Sequence, residues 1–424
     1  MKIVTLSKER FDAYSAAHPC TSFQQTSGWG KLKSLVGWRE LYLGYEDEQG
    51  QLQAAGLFLG RRMPLFNKYL YYCPHGYLID LENKELLASF QKDLSAALIR
   101  EKGFELIIDP YFPYQQRDID GKVVEGGYNH QSVVDQLCAL GFVHSGFNTH
   151  FENLQPRFLF RLDMQGKTYS ELQKDFRYEA RRRIGKKDFL AITVREMSEE
   201  EIPEYKRLMA LTAERRGFID RPLSYYKEMY ECLHPQGILH YYAAEIDLQK
   251  AEANVLNDID AIQKRIAKLA QKNPESVKTQ NRIHEEEIVL HKDEELLERI
   301  RNVKSDNGKA VLSDVCLLTY GQEAIMLLAG NDEEYLQDFN TSNIIVGELI
   351  RISLEQGYRY YNFYGISGDF DPNNEHYGLY SYKKQYGGEV VELIGQFELT
   401  LDPFIKVIYE MGLKVYKFLK KVRH

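Results

Sequence analysis

At 424 residues, with 44% hydrophobic and 12% aromatic content, the chain reads as globular and long enough for two or three domains. Its 54 Lys+Arg against 62 Asp+Glu leave a formal net charge of -8. That balance excludes a general nucleic-acid coater, so an anionic partner has to be met by a local patch.

The 5 cysteines (Cys20, Cys73, Cys138, Cys232 and Cys316) are scattered and odd in number, the pattern of reduced thiols in a cytoplasmic protein. "MKIVTLSKER" lacks the apolar core of a signal peptide, and no run of about 18 apolar residues could cross a bilayer.

In chain order, "SGWGKLK" reads as a helix start carrying Lys31 and Lys33 after Trp29. "RELYLGYE" and "LQAAGLFLG" are two strands turning on "DEQG". A helix follows, with Leu86, Leu87, Phe90, Leu94, Ala97 and Leu98 at helical spacing and Gly103 as its stop. The strand "FELIIDPY" then ends at Asp109, ahead of Pro110.

"DFRYEARRRIGKKDF" crowds six cations, Arg177, Arg181, Arg182, Arg183, Lys186 and Lys187, into one expected helix. Like charges at i and i+4 repel by a few tenths of about 1 kcal/mol per pair, so the density suits a polyphosphate backbone. The alternative is a solvated basic helix or intramolecular pairing with the acidic hairpin that follows. In "RRGFIDRPLSYY", Arg221 precedes Pro222 at an expected helix start, where free N–H groups and a guanidinium suit a diphosphate. A surface Arg-Pro turn is the bland alternative.

A second set of strands, "GILHYYAAEI" and "SDVCLLTYGQEAIMLLAG", leads to the helix "NIIVGELIRISLEQG" and the strand "YRYYNFYGI". This repeats the earlier grammar and predicts two related α+β domains. Where the first set turns on "DEQG", the second inserts about Asp247 to Lys304. Leu248, Val255, Ile262 and Leu269 fall seven apart, and Ile283, Leu290 and Leu297 form a returning series across a break at Pro274. That predicts an antiparallel coiled-coil hairpin, serving as spacer, dimer contact or substrate-guiding arm. In "SYKKQYGG", alternating Tyr380, Tyr382 and Tyr386 predict a strand with one aromatic face and Lys383 opposite Tyr382. The tail "DPFIKVIYEMGLKVYKFLKKVRH" is a basic amphipathic helix, expected to pack on the first domain, with contact to anionic lipid as the second reading.

This order of parts, from "SFQQTSGWGKLKSLVGW" to "YGGEVVELIGQFELTLDPF", resembles the FemABX family of peptidoglycan peptidyltransferases. The resemblance implies two tandem GNAT-like domains, 1–155 with about 396–424 and 156–246 with 305–395, with the coiled coil at 247–304. It implies transfer of an amino acid from aminoacyl-tRNA to the stem-peptide amine of lipid II, without a cofactor. The acceptor alternatives are a soluble UDP-linked precursor or a protein N-terminus, and a non-catalytic tRNA-binding scaffold is the contender from another class.

By the same resemblance, Lys31, Arg221 and Tyr225 contact precursor phosphate, Asp109 faces the same cleft, and Tyr382 and Lys383 stand near the acyl donor. Phe104 and Leu328 replace cleft tyrosines found in relatives. Lys383 is expected to stabilise the oxyanion and Asp109 to orient or deprotonate the amine, while the arginine-rich run contacts tRNA. Contact with the cytoplasmic membrane face would suit a lipid-linked acceptor, and DNA is not an expected partner. No metal is implied: the 11 histidines show no paired ligand spacing, and no phosphate-binding "GxxxxGK[ST]" loop occurs. "YGISGDFD" is acidic, a poor fit to an acetyl-CoA pyrophosphate loop.

Overall fold

The computed structural model describes residues 1–64, 66–272 and 275–422, without the side chains of residues 337 and 416–422. Pro274, and Lys417, Leu419, Lys420, Lys421 and Arg423 of the tail quoted above, lie outside the described residues or side chains.

Two mixed sheets organise the chain. The first has seven strands, in the order Lys2–Thr5, Arg39–Glu46, Leu52–Arg62, Tyr69–Cys73, Gly103–Ile108, Phe397–Thr400 and Val143–His144. The second has eight, in the order Pro113–Gln116, Glu389–Leu393, Phe158–Asp163, Tyr360–Ile366, Glu323–Asn331, Lys309–Tyr320, Leu239–Asp247 and Ile192–Glu196. In each sheet one neighbouring pair is parallel: Tyr69–Cys73 with Gly103–Ile108, and Glu323–Asn331 with Tyr360–Ile366. Parallel neighbours need a crossover, and a helix supplies it in both halves, Lys84–Arg100 in one and Thr341–Glu355 in the other. The first five strands of the first sheet therefore run in the same order as Ile192–Glu196 through Tyr360–Ile366 of the second. Two strands are exchanged: Phe397–Thr400 returns to the first sheet, and Pro113–Gln116 extends the second.

Asn83 starts the first crossover helix, its side chain accepting the Leu86 N–H at 3.1 Å. Leu87, Phe90, Leu94, Ala97 and Leu98 are buried on one face of it. The helix ends differently from expectation. Lys102, not Gly103, takes the left-handed conformation (φ 63), at a cost of about 1 kcal/mol. Gly103 is already in the strand, where a Cβ would meet the Leu98 carbonyl oxygen at 2.9 Å, so its smallness serves packing. In the second half Gly357 itself turns the chain (φ 86).

The insertion forms two helices, Leu248–Lys272 and Val277–Asn302. Ion pairs Arg265–Glu286 (3.0 Å) and Arg301–Glu252 (2.7 Å) fix them antiparallel. At the root, Val255, Ile259, Ile262, Leu297 and Ile300 are buried; all except Ile262 join the core of the second half. Towards the tip, Ile266, Leu269 and Ile283 are only half-buried. The last helix, Pro403–Val422, lays Ile405, Ile408 and Tyr409 over Met63, Leu70 and Phe104 of the first half. Lys406 pairs with the otherwise buried Glu105 at 2.6 Å.

Candidate active site

Asp109 follows the crossover strand of the first half and is buried where the two halves meet. Its Oδ2 accepts the Tyr72 hydroxyl at 2.7 Å and its Oδ1 the His75 N–H at 2.6 Å. Burial pushes the carboxyl up to about 7, against the lowering effect of those two hydrogen bonds. Tyr72 is reached in turn by the Gln155 amide at 3.2 Å, and Gln155 Oε1 accepts the Tyr364 hydroxyl at 2.9 Å. A hydrogen-bonded line thus runs from the first half's strand end to the second half's crossover strand.

Tyr364 adopts a left-handed backbone (φ 63), at the break in register between Tyr360–Ile366 and Phe158–Asp163. Lys383 holds that irregularity: its Nζ donates to the carbonyl oxygens of Gly365 at 2.7 Å and Tyr364 at 3.3 Å. Only 4% exposed, with no carboxylate bound to its Nζ among the described residues, the ammonium is pushed down to about 7 by desolvation.

The strand expected here is instead the helix Tyr377–Lys384. Its aromatic residues meet at helical spacing, Tyr377 with Tyr380 at 5.7 Å and Tyr382 with Tyr386 at 5.8 Å between ring centres. Tyr382 and Lys383 therefore diverge. The Tyr382 hydroxyl donates to the Ser342 carbonyl at 3.0 Å, within electrostatic reach of Arg183.

The cations expected at the phosphate also rearrange. Lys31 is exposed and lies towards Cys232. Lys33, two residues on, sits over the Trp29 ring at 4.2 Å and close enough to Arg221 to feel its charge. Burial, then Arg221, pull the Lys33 amine down to about 8. Arg221 is exposed and has no carboxylate partner among the described residues; it stands 5.5 Å from the centre of the Tyr225 ring. The helix Leu223–Leu233 begins behind it at Pro222 without a side-chain cap. Two cations and free N–H groups gather here, a geometry suited to a diphosphate. Tyr225 extends from this group towards Tyr364, whose hydroxyl both Asp109 and Tyr225 push up electrostatically, after the larger effect of burial.

Only the middle of the basic run is helical, and a separate short helix precedes it. Tyr169–Asp175 and Tyr178–Ile184 are separated by the buried, extended Phe176, and Gly185 ends the second. Lys186 and Lys187 lie beyond it, which removes the expected i, i+4 repulsion. Arg181 donates to the carbonyls of Gln173 and Lys174, Lys187 pairs with Glu348 at 3.0 Å, and Arg177 feels Asp120. Arg182 is exposed with no ion pair among the described residues. Lys186 lines a cavity of about 630 Å³ against the hairpin residues Lys292, Asp293 and Arg299.

Phe104 has no exposed surface and packs beneath the last helix, so it offers nothing to a substrate in this structure. Gln155, Tyr72 and Tyr364 went unnoticed in the sequence. So did a second link between the halves, in which Tyr111 and Asn362 donate to Glu323 Oε2 at 2.8 and 2.9 Å.

One histidine cluster forms at the outer edge of the second sheet, from Glu196, His234 and His240. His240 Nδ1 is hydrogen-bonded to Glu196 at 2.7 Å and His234 Nδ1 to the Leu239 carbonyl at 2.8 Å, so the nitrogens facing the carboxylate are occupied. No helix among the described residues is long and apolar enough to cross a membrane.

Comparison with known proteins agrees with this architecture. The chain is 30% identical to aminoacyltransferase FemA of Staphylococcus aureus strains MRSA252 and RF122 / ET3-1, over 100% of its own length and 99% of theirs. A crystal structure of FemX superposes with a TM-score of 0.76 at 25% identity, covering 96% of this chain and all of that one. The FemAB family model matches residues 6–414, and the chain belongs to that family.

Proposed function

We propose that this protein is an aminoacyltransferase that moves an amino acid from aminoacyl-tRNA to the stem-peptide amine of lipid II, building the peptidoglycan interpeptide branch. The whole-length likeness to FemA supports the transferase reading. The observation that carries the acceptor is the gathering of Lys33 and Arg221 at an uncapped helix start, which Tyr225 and Tyr364 link to the buried Asp109 between the halves. Under this reading the two halves act as tandem acyltransferase-type units.

An aminoacyl ester is already activated, so the site has to hold amine and ester together, take one proton and stabilise an oxyanion. A free amine of pKa near 10.4 costs about 4.6 kcal/mol to deprotonate at pH 7. Asp109, at about 7, is matched to receive that proton as the amine attacks the ester carbonyl. Lys383 has three N–H donors and spends two on Gly365 and Tyr364, leaving one for the oxyanion. Collapse of the tetrahedral intermediate releases the ribose oxygen of the tRNA, which takes up a proton.

The cation run supplies the donor's contact: Arg177, Arg182, Arg183 and Lys186 face the RNA, while Arg181 and Lys187 order the backbone around them. Each phosphate contact removed lowers the log–log salt slope of single-stranded RNA binding by about 0.7.

The test is labelled amino acid on tRNA, mixed in parallel with lipid II, with a UDP-linked precursor and with no acceptor. Label on lipid II at a rate well above that on the UDP-linked precursor supports the reading. Label on the soluble precursor alone moves the acceptor, and binding of tRNA without transfer to any of them ends it.

A further inference from the structure

The last helix has one face spoken for and one that is not. Ile405, Ile408 and Tyr409 cover Met63 and Phe104, and Lys406 is held by Glu105. About a quarter-turn round the helix, Phe404 (73% exposed), Val407, Met411 (62%) and Val415 form an apolar stripe open to solvent, recurring every three to four residues. The neighbouring turn adds to it. Lys68 pairs with Asp402 at 2.8 Å and Met63 packs on Ile405, which brings the exposed Phe66 to the same edge of the molecule.

Cations accompany this helix in a chain that is otherwise acidic. Arg61 is exposed and within electrostatic reach of Tyr409; Arg62 and Lys414 are exposed and form no ion pair among the described residues. The sequence of the helix holds five lysines against a single acid, Glu410. An apolar stripe bordered by unpaired cations on a helix that cannot span a bilayer is the form of an interfacial membrane helix. A helix of this length lies along about 30 Å of surface. Each lysine or arginine near an anionic leaflet adds to the attraction of the buried apolar face.

We propose that the outer face of Pro403–Val422, with the turn at Phe66, docks the protein on an anionic phospholipid surface. The proposal deepens the lipid II reading, since it brings the site to the plane where a lipid-linked acceptor lies. A second copy is the poorer occupant: isologous pairing of this face would bring Arg61, Arg62 and Lys414 against their own images.

The experiment is flotation with lipid-free-of-precursor vesicles of phosphatidylcholine alone or with 30% phosphatidylglycerol (about 30%, enough for a strongly negative surface). The expected result is at least tenfold stronger association with the anionic vesicles, weakened by high salt. Val407→Glu with Met411→Glu, both on the open face, should abolish most of it while leaving the melting temperature unchanged. Phe404→Glu serves as an independent second variant.

Equal association with both vesicle types overturns the proposal, and so does undiminished association of the variants. A concentration-dependent dimer dissolved by the same substitutions overturns it in favour of a second copy. Because these vesicles contain no precursor, their result stands apart from transfer. The variants should retain full transfer to a short-chain, water-soluble acceptor, so a failure of lipid binding and a failure of the transferase reading are separable.

Discussion

The first half of the molecule runs its crossover strand out at a carboxyl, Asp109, gripped by Tyr72 and the His75 amide. The second half brings its counterpart, Tyr360–Ile366, to the same junction but breaks it at Tyr364, with Lys383 clamped on the carbonyls behind. Equivalent scaffolds thus each bury one ionisable group beside the crossover strand, an acid in the first half and an amine in the second. Where the scaffold repeats, the residues serve packing; where the two copies diverge, polar groups are buried at a cost that packing does not explain. Asp109 and Lys383 each sit near 7, shifted in opposite directions by the same cause, desolvation.

The sharpest way to break the comparison is to remove one charge at a time. Asp109→Asn should lower the single-turnover transfer rate by about 10²- to 10³-fold, and Lys383→Met by a similar factor, with tRNA binding unchanged. The pH profile follows from the signs. The proposed mechanism needs Asp109 as carboxylate, so transfer should rise as pH climbs through about 7; it needs Lys383 as ammonium, so transfer should fall through about 7 on the other side. A narrow maximum near neutrality is expected, and a flat profile between pH 5.5 and 8.5 for a rate limited by chemistry would remove both residues from the mechanism.

The two cations at the helix start divide the next effect. Arg221→Ala and Lys33→Ala should each raise the acceptor KM by about tenfold or more, a loss in the range of one charge-assisted hydrogen bond, with little change in kcat. Lys31→Ala should change it less than twofold, because Lys31 points away from Arg221. Equal effects at Lys31 and Lys33 would contradict that geometry.

The turn that differs between the halves offers a third test. Val255, at the hairpin root, is fully buried in the core of the second half, whereas Leu269 near the tip is half-buried. Val255→Ala should cost about 2 kcal/mol in unfolding free energy and Leu269→Ala less than about 1 kcal/mol. Similar costs at both positions would mean that the hairpin folds as one unit along its length, not as an outgrowth of the core.

Much of this was legible in the chain itself, and the misses have physical causes. Helix and strand periodicity, the turn at "DEQG" and the seven-residue seam all describe local burial, which sequence spacing encodes directly. Tyr380, Tyr382 and Tyr386 satisfy both an alternating pattern and an i, i+4 pattern, so the strand reading was as consistent as the helix that formed. Phe176 sets the basic run apart from the helix before it because a single buried aromatic needs its own backbone direction, which a count of charges does not reveal. Lys31 and Lys33 lie about 200° apart around one helix. Which of them meets Arg221 depends on a segment nearly 190 residues away, and only tertiary packing decides it. Gln155 and Tyr364 carry no sequence signal at all, since their roles exist only between the halves.

Asp314 extends the comparison to stability, because its strand, Lys309–Tyr320, corresponds to Leu52–Arg62, which contains no acid. Fully buried, Asp314 uses Oδ1 to accept the Gly330 N–H at 2.8 Å and leaves Oδ2 without a hydrogen-bond partner among the described residues. Burial holds its carboxyl well above the ordinary range, so the folded chain keeps the proton to higher pH than the unfolded chain, which loses it above about pH 4. Unfolding then releases a proton, and the contribution of this group to stability falls as pH rises. Asp314→Asn cannot ionise and removes that slope. The variant and the parent should melt within about 1 °C of each other at pH 4, and the variant should be ahead by at least about 2 °C at pH 8. A difference independent of pH would show that Asp314 gives up its proton at no cost, through a rearrangement that reaches water.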